Sequence, residues 1–120
     1  MSENTKPEIS IYQHSILAAK EVYQLTCKLP VQQRFVLSAQ LRRTIIVVCN
    51  RVSAISDAQT KPTLKWQSAQ FIKSYAELIT QMKMSIRLGH FREAELLELS
   101  NFLDQIRIIC ESNIQAGHRN

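Results

Sequence analysis

Two glycines and three prolines punctuate 120 residues, and all five lie near the ends or joints of apolar-periodic segments. So sparse a supply of turn residues argues against a fold of many short strands and for a few long helices. A glycine-rich phosphate loop is excluded as well, because the two glycines are isolated. Three cysteines, Cys27, Cys49 and Cys110, are too scattered for a disulfide framework and show no Cys-x-x-Cys spacing. Each lies in an apolar segment and is expected to behave as a small buried hydrophobe. His14, His90 and His118 fall in separate segments, and none pairs at helical spacing with another metal-type ligand on an apolar face. Bundle di-iron sites need Glu-x-x-His pairs facing inward, so neither a metal nor a cofactor is expected. No apolar run approaches the roughly 20 residues that cross a bilayer. The first ten residues are polar and do not resemble a signal peptide, so the expectation is a cytoplasmic protein without a membrane partner.

What is present is the composition of an ordinary soluble domain, 45% hydrophobic and 21% charged. Residues 1–120 are read as one domain with a modest core. The net charge is +5, with a pI near 9.4. That balance suits a polyanion or an anionic surface, and equally a soluble protein that happens to be basic.

The stretch from Pro30 to Ile55 organises the chain. Proline favours a first helical turn, and no glycine or second proline follows within it. Ser38, Leu41, Ile45, Val48, Val52 and Ile55 share one side at helical spacing. Between Thr44 and Cys49 the helix is apolar almost all the way round, where a surface helix should keep one polar face. Burial from two sides follows, by the protein's own core and by another subunit, with Ile46, Val47 and Val48 as the candidate interface.

The remaining segments repeat the pattern. Four helices are expected over about 10–28, 31–57, 63–88 and 91–115, the third starting at Pro62 or Thr63. The first has a seam of Ile9, Tyr12, Ile16, Ala19, Tyr23 and Thr26, alternating by three and four. The third carries Ile72, Tyr75, Ile79, Met82 and Ile86. The fourth carries Leu96, Leu99, Leu103, Ile106 and Cys110. Short connections make neighbouring helices antiparallel. The fold class is therefore all-α, an antiparallel up-down-up-down four-helix bundle assembled as a homo-oligomer. A long helical hairpin completed in a dimer is the alternative.

No catalytic constellation stands out. Glu93, Glu95, Glu98 and Asp104 read as the outer face of the fourth helix, so no enzyme is expected. The basic residues are more informative. Lys65, Lys73, Lys83 and Arg87 project within roughly 80° of one another on the third helix, along about 33 Å. They form a stripe read as lying beside the core seam and able to track several phosphates. Arg34, Arg42, Arg43 and Arg51 add positive charge to the second helix. Candidate nucleic-acid contacts are thus Arg42, Arg43, Arg51, Lys65, Lys73, Lys83 and Arg87; pairing of the arginines with acids of neighbouring helices or subunits is the competing account. The aromatic residues, Trp66 among them, lie on or beside seams and are expected in the core. Contact with RNA or DNA would then be directed at the backbone.

Leu29-Pro30-x-x-x-Arg34-Phe35-x-Leu37-x-x-Gln40-Leu41-Arg42-Arg43 resembles a stretch of the four-helix bundle superfamily of 23S rRNA intervening-sequence proteins and Avd, the accessory variability determinant of diversity-generating retroelements. Tyr75-Ala76-Glu77-Leu78-x-x-Gln81, the Leu88-Gly89 joint and Leu103-Asp104-Gln105-Ile106 fit the same pattern. The resemblance covers about residues 15–114 and implies a homopentamer. Its Avd branch implies a nucleic-acid-binding accessory of a reverse transcriptase in mutagenic cDNA synthesis. Its intervening-sequence branch implies a structural or protein-interaction bundle. Members of that branch usually follow the double arginine with Pro-Ala-Asn-Ile-Ala-Glu-Gly. Here Val48 to Ile55 has neither that proline nor that glycine, and the basic pI also fits Avd, whereas Gln40 to Arg43 is closer to the intervening-sequence pattern.

Overall fold

The computed structural model describes residues 10–117, with backbone only at 33–35 and 117. Ile9, His118 and the side chain of Arg34 therefore lie outside the described residues.

Helix α1 (Ile11–Cys27) begins in a capping box. The Ser10 hydroxyl accepts from the Gln13 backbone N–H at 3.1 Å, and the Gln13 side-chain oxygen accepts from the Ser10 N–H at 3.0 Å. Leu29 is buried and Pro30 follows it, which separates α1 from the next helix. Helix α2 covers residues 31–56 in three backbone regimes. An α-helical turn (Val31–Gln33) opens it, a π-helical turn (Arg34–Ser38) widens it, and regular α-helix (Ala39–Ser56) completes it.

Helix α3 (Lys61–Arg87) starts at Lys61, slightly before the expected Pro62 or Thr63. Thr60 sets that boundary, because its hydroxyl accepts from the Thr63 N–H at 3.2 Å. Pro62 then sits in the first turn, where its missing donor costs nothing. The far end closes in a Schellman motif: the Gly89 N–H reaches the Ile86 carbonyl and the His90 N–H reaches the Ser85 carbonyl. Gly89 takes a φ of +80° there, a conformation that side chains disfavour. The fourth helix begins later than the expected Phe91. The Glu95 carboxylate accepts from the Arg92 N–H at 2.8 Å and tightens Glu93–Leu96 into a 3₁₀ turn. Regular helix α4 (Leu97–Gly117) follows.

Each helix packs on its neighbours in sequence, and α4 closes the ring against α1. This is the up-down-up-down bundle, with no strand among the described residues. On α2 the six seam residues from Ser38 to Ile55 are all buried, and so are the five from Leu96, in the 3₁₀ turn, to Cys110 on α4.

On α1 and α3 the buried stripe lies one position away from the expected seam. The inner face of α1 is Ser15, Ala18, Val22, Leu25 and Thr26, while Tyr12, Ile16 and Tyr23 are 50%, 45% and 41% exposed. The inner face of α3 is Ser68, Phe71, Ser74, Leu78, Met82 and Ser85, with Ile72, Tyr75, Ile79 and Ile86 on its flank. Small hydroxyl residues cause both shifts. Ser15 and Ser85 donate to the Tyr12 and Met82 carbonyls of their own helices, both at 2.7 Å. Thr26 does the same to Val22 at 2.8 Å, and Ser68 accepts from the Asn113 side chain at 3.0 Å. A hydroxyl satisfied in this way can enter the core without a desolvation cost, and its small volume admits a neighbouring helix closely.

Candidate nucleic-acid interface

The shift on α3 redirects its basic stripe. At 100° per residue the buried residues of α3 centre roughly 155° from the mean direction of Lys65, Lys73, Lys83 and Arg87. The stripe thus faces away from the core rather than lying beside it. Lys73, Lys83 and Arg87 are exposed and make no ion pair among the described residues, whereas Lys65 is half-buried. Arg87 also sits in the last turn of α3, where its charge complements the carbonyl end of the helix.

The α2 arginines do not join that stripe as a set. Arg42 is engaged inside the bundle. Its Nε donates to the Thr26 hydroxyl at 2.9 Å, a terminal nitrogen lies 3.4 Å from the Cys27 sulfur, and the guanidinium stands 4.6 Å over the Tyr23 ring. Together these contacts tie the end of α1 to α2 through a hydrogen bond and a cation–π contact. Arg51 is half-buried, with its Nε enclosed and without a hydrogen-bond partner. Arg43 alone of the three is exposed.

The candidate subunit contact also divides. Val48 has no exposure and belongs to the bundle's own core, so it cannot touch another copy. Ile46 and Val47 are 45% and 36% exposed. The hydrogen bonds from Arg42 to Thr26 and from the Cys49 thiol to the Ser15 carbonyl fix how α2 lies along α1. On α1, Tyr12, Ile16 and Tyr23 are likewise exposed.

On the other side of α3 a groove of about 280 Å³ runs between α3 and α4, with Lys83, Glu93 and Asp104 among its lining residues. The Tyr75 hydroxyl donates to Asp104 at 3.2 Å, Arg107 approaches the same carboxylate at 3.4 Å, and Arg107 also meets Glu111 at 2.8 Å. Burial, and then the Asp104 charge, push the Tyr75 hydroxyl above its ordinary range. This polar chain is committed to itself. Among the described residues, no three His, Cys, Asp or Glu side chains gather as a metal-binding group, and no helix is long and apolar enough to cross a membrane.

The cysteines divide by position. Cys27 is exposed, against the expectation of burial. Burial pushes the Cys49 thiol up, and pushes Cys110 up to about 11. The protonated Cys110 thiol is thus favoured by folding. Its contribution to stability is full below the ordinary thiol value and is lost as pH rises through about 11. At pH 8 Cys110 is therefore held as the unreactive thiol. Iodoacetamide at that pH is expected to label Cys27 first and to leave Cys110 unmodified until the chain unfolds, as peptide mass mapping would show.

The chain matches the family model of the 23S rRNA-intervening sequence protein over residues 7–112. The chain belongs to that family. No curated protein matches it. Within the intervening-sequence family this chain keeps α2 helical across Asn50–Ile55, where Val52 and Ile55 are core residues.

Two features of the surface run against the seam expected from spacing. Trp66 is 57% exposed, and so are Tyr12 and Tyr23 to lesser degrees. Spacing alone placed them at the seam. The signal that would have moved them outward was the run of serines, which marks the true inner face.

Proposed function

We propose that this intervening-sequence family member is a non-enzymatic, self-assembling bundle that binds nucleic acid through the outer face of α3. The observation that carries the proposal is the exposure of Lys73, Lys83 and Arg87 on one face, with no ion pair among the described residues. A solvated helix face usually mixes signs, whereas α3 carries a single acid, Glu77, which borders the stripe four residues beyond Lys73. Charges presented in this way bind phosphates by displacing counterions, so affinity falls steeply with salt. Filter binding of RNA and of DNA at low and moderate salt tests it. Retention that does not change with salt, or none at low salt, rejects it and leaves a bundle with a purely structural or protein-interaction role.

Self-assembly is supported by the exposed apolar and aromatic side chains Tyr12, Ile16 and Tyr23 on α1 and Ile46 and Val47 on α2, because exposed apolar surface on a small domain marks an interaction surface. The resemblance implies a pentamer. Ile46→Glu is expected to yield a smaller species by light scattering at unchanged helix content. An assembly of unaltered mass would remove Ile46 from the interface.

A second reading is the Avd-like one, in which the cytoplasmic oligomer serves a retroelement reverse transcriptase. It is favoured by the unbroken α2 through Asn50–Ile55. A reverse transcriptase gene and a template repeat beside this gene, with co-purification of the two proteins, would support it. A surrounding ribosomal RNA gene would support the intervening-sequence role instead.

A further inference from the structure

The basic face of α3 has an aromatic at one end. Trp66 is 57% exposed, the most exposed aromatic among the described residues. At 100° per residue it lies within roughly 20° of Lys73, about 10 Å further along the helix. Arg87 and Lys83 follow further along the helix, roughly 60° and 100° round from Trp66, while the exposed Glu77 lies roughly 20° to its other side. The side chains between these cations are Ala69, Ala76 and Thr80, at alternating spacings of three and four. All three are small, so a low track runs from the indole to the C-terminal end of α3. No other large side chain rises between Trp66 and Lys73 on that track.

From this arrangement we infer that the α3 face binds single-stranded nucleic acid, with an unpaired base stacked on the Trp66 indole and the following phosphates on Lys73, Lys83 and Arg87. The inference rests on the nucleic-acid reading above and specifies the strand state that the face accepts. Paired bases in a duplex offer no free face to a ring on a convex helix, whereas an unpaired base does. A charged track combined with an aromatic platform is the arrangement that suits single strands, and stacking tolerates any base because each has a π-face. The track presents no set of donors that would read base edges, so the preference is for strand state and not for sequence. Neither stacking nor phosphate contact uses the ribose 2′-hydroxyl, so RNA and DNA single strands bind alike.

Trp66 is the one tryptophan of the chain, so its fluorescence reports on this site alone. Titration of the full-length protein with oligo(U), or with oligo(dT) of equal length, is expected to quench that emission. A duplex of the same length is expected to leave it unchanged. Trp66→Ala should weaken single-strand binding roughly 5- to 150-fold and leave the slope against salt unaltered, because the phosphate contacts remain. Trp66→Phe should retain part of the affinity. Salt-dependent binding with no quenching, and with full affinity in Trp66→Ala, would overturn the stacking inference and leave the proposed function standing. Loss of all nucleic-acid binding by the unaltered protein would overturn both. A change of assembly mass in Trp66→Ala would identify the ring as a contact between copies and also overturn the inference.

Discussion

Neutralising the outer face of α3, by Lys73→Gln, Lys83→Gln and Arg87→Gln together, is expected to weaken nucleic-acid binding by more than about a hundredfold near 50 mM salt. The slope of log affinity against log salt should fall by roughly 2 for a single strand, about 0.7 for each phosphate that is no longer neutralised. All three side chains are exposed and none belongs to the buried core. Folding stability should therefore stay within about 0.5 kcal/mol, apart from a small loss at Arg87 where its charge meets the helix end. Filter binding across a salt series and a urea melt measure the two effects separately. The corresponding neutralisation of Arg42 should behave differently. It removes the hydrogen bond to Thr26 and the cation–π pairing with Tyr23, so its first effect is on stability.

The largest loss of stability is expected from Phe71→Ala. Phe71 is fully buried on the inner face of α3, with Tyr75 stacked beside it at a ring separation of 5.9 Å. Truncating a buried phenylalanine costs about 3–5 kcal/mol, through forfeited transfer energy and the cavity left behind. Small domains hold only about 5–15 kcal/mol in total, so the variant should unfold at a much lower urea midpoint with an unchanged slope. Protomer concentration must be held constant in that comparison, because assembly adds to apparent stability. A loss below about 1 kcal/mol would show that the helices close over the gap.

The four helices and their antiparallel order were legible in the sequence because the punctuation is so sparse. Pro30, Pro62 and Gly89 stand at three joints, and little else competes with helix between them. The inner faces of α2 and α4 were legible because branched aliphatics dominate them, with few hydroxyl residues among them. Those of α1 and α3 were not. There Ser15, Ser68, Ser74 and Ser85 hold inner positions, while Tyr12, Ile16, Tyr23 and Trp66 stand outside. Hydrophobic spacing weighs serine as polar and tyrosine as apolar, so it selected the flank. The serine hydroxyls that bond back to their own helices are invisible to that weighing.

The same error explains how much of the candidate site could be read. That Lys73, Lys83 and Arg87 share a direction follows from spacing and needs no knowledge of the core. Where that direction points depends on the core, and was wrong by the amount that the seam was wrong. The role of Arg42 depends on Thr26 and Tyr23, which lie 16 and 19 residues earlier. No local pattern brings such residues together; only the packing of α1 on α2 does.

The wide turn at Arg34–Ser38 has a consequence for how this chain can change length. A π turn holds one residue more than the α turn it replaces, while the helix on either side keeps its course. Deletion of a single residue there is absorbed by return to an α turn. Leu41, Ile45 and Val48 would keep their inward facing, and the Pro30 joint would still reach the end of α1. A relative one residue shorter before Ala39 would therefore superpose from Leu41 onward. A gap-free alignment of the two would misplace everything from Leu29 to Gln33 by one position, at the stretch where the double-arginine motif begins.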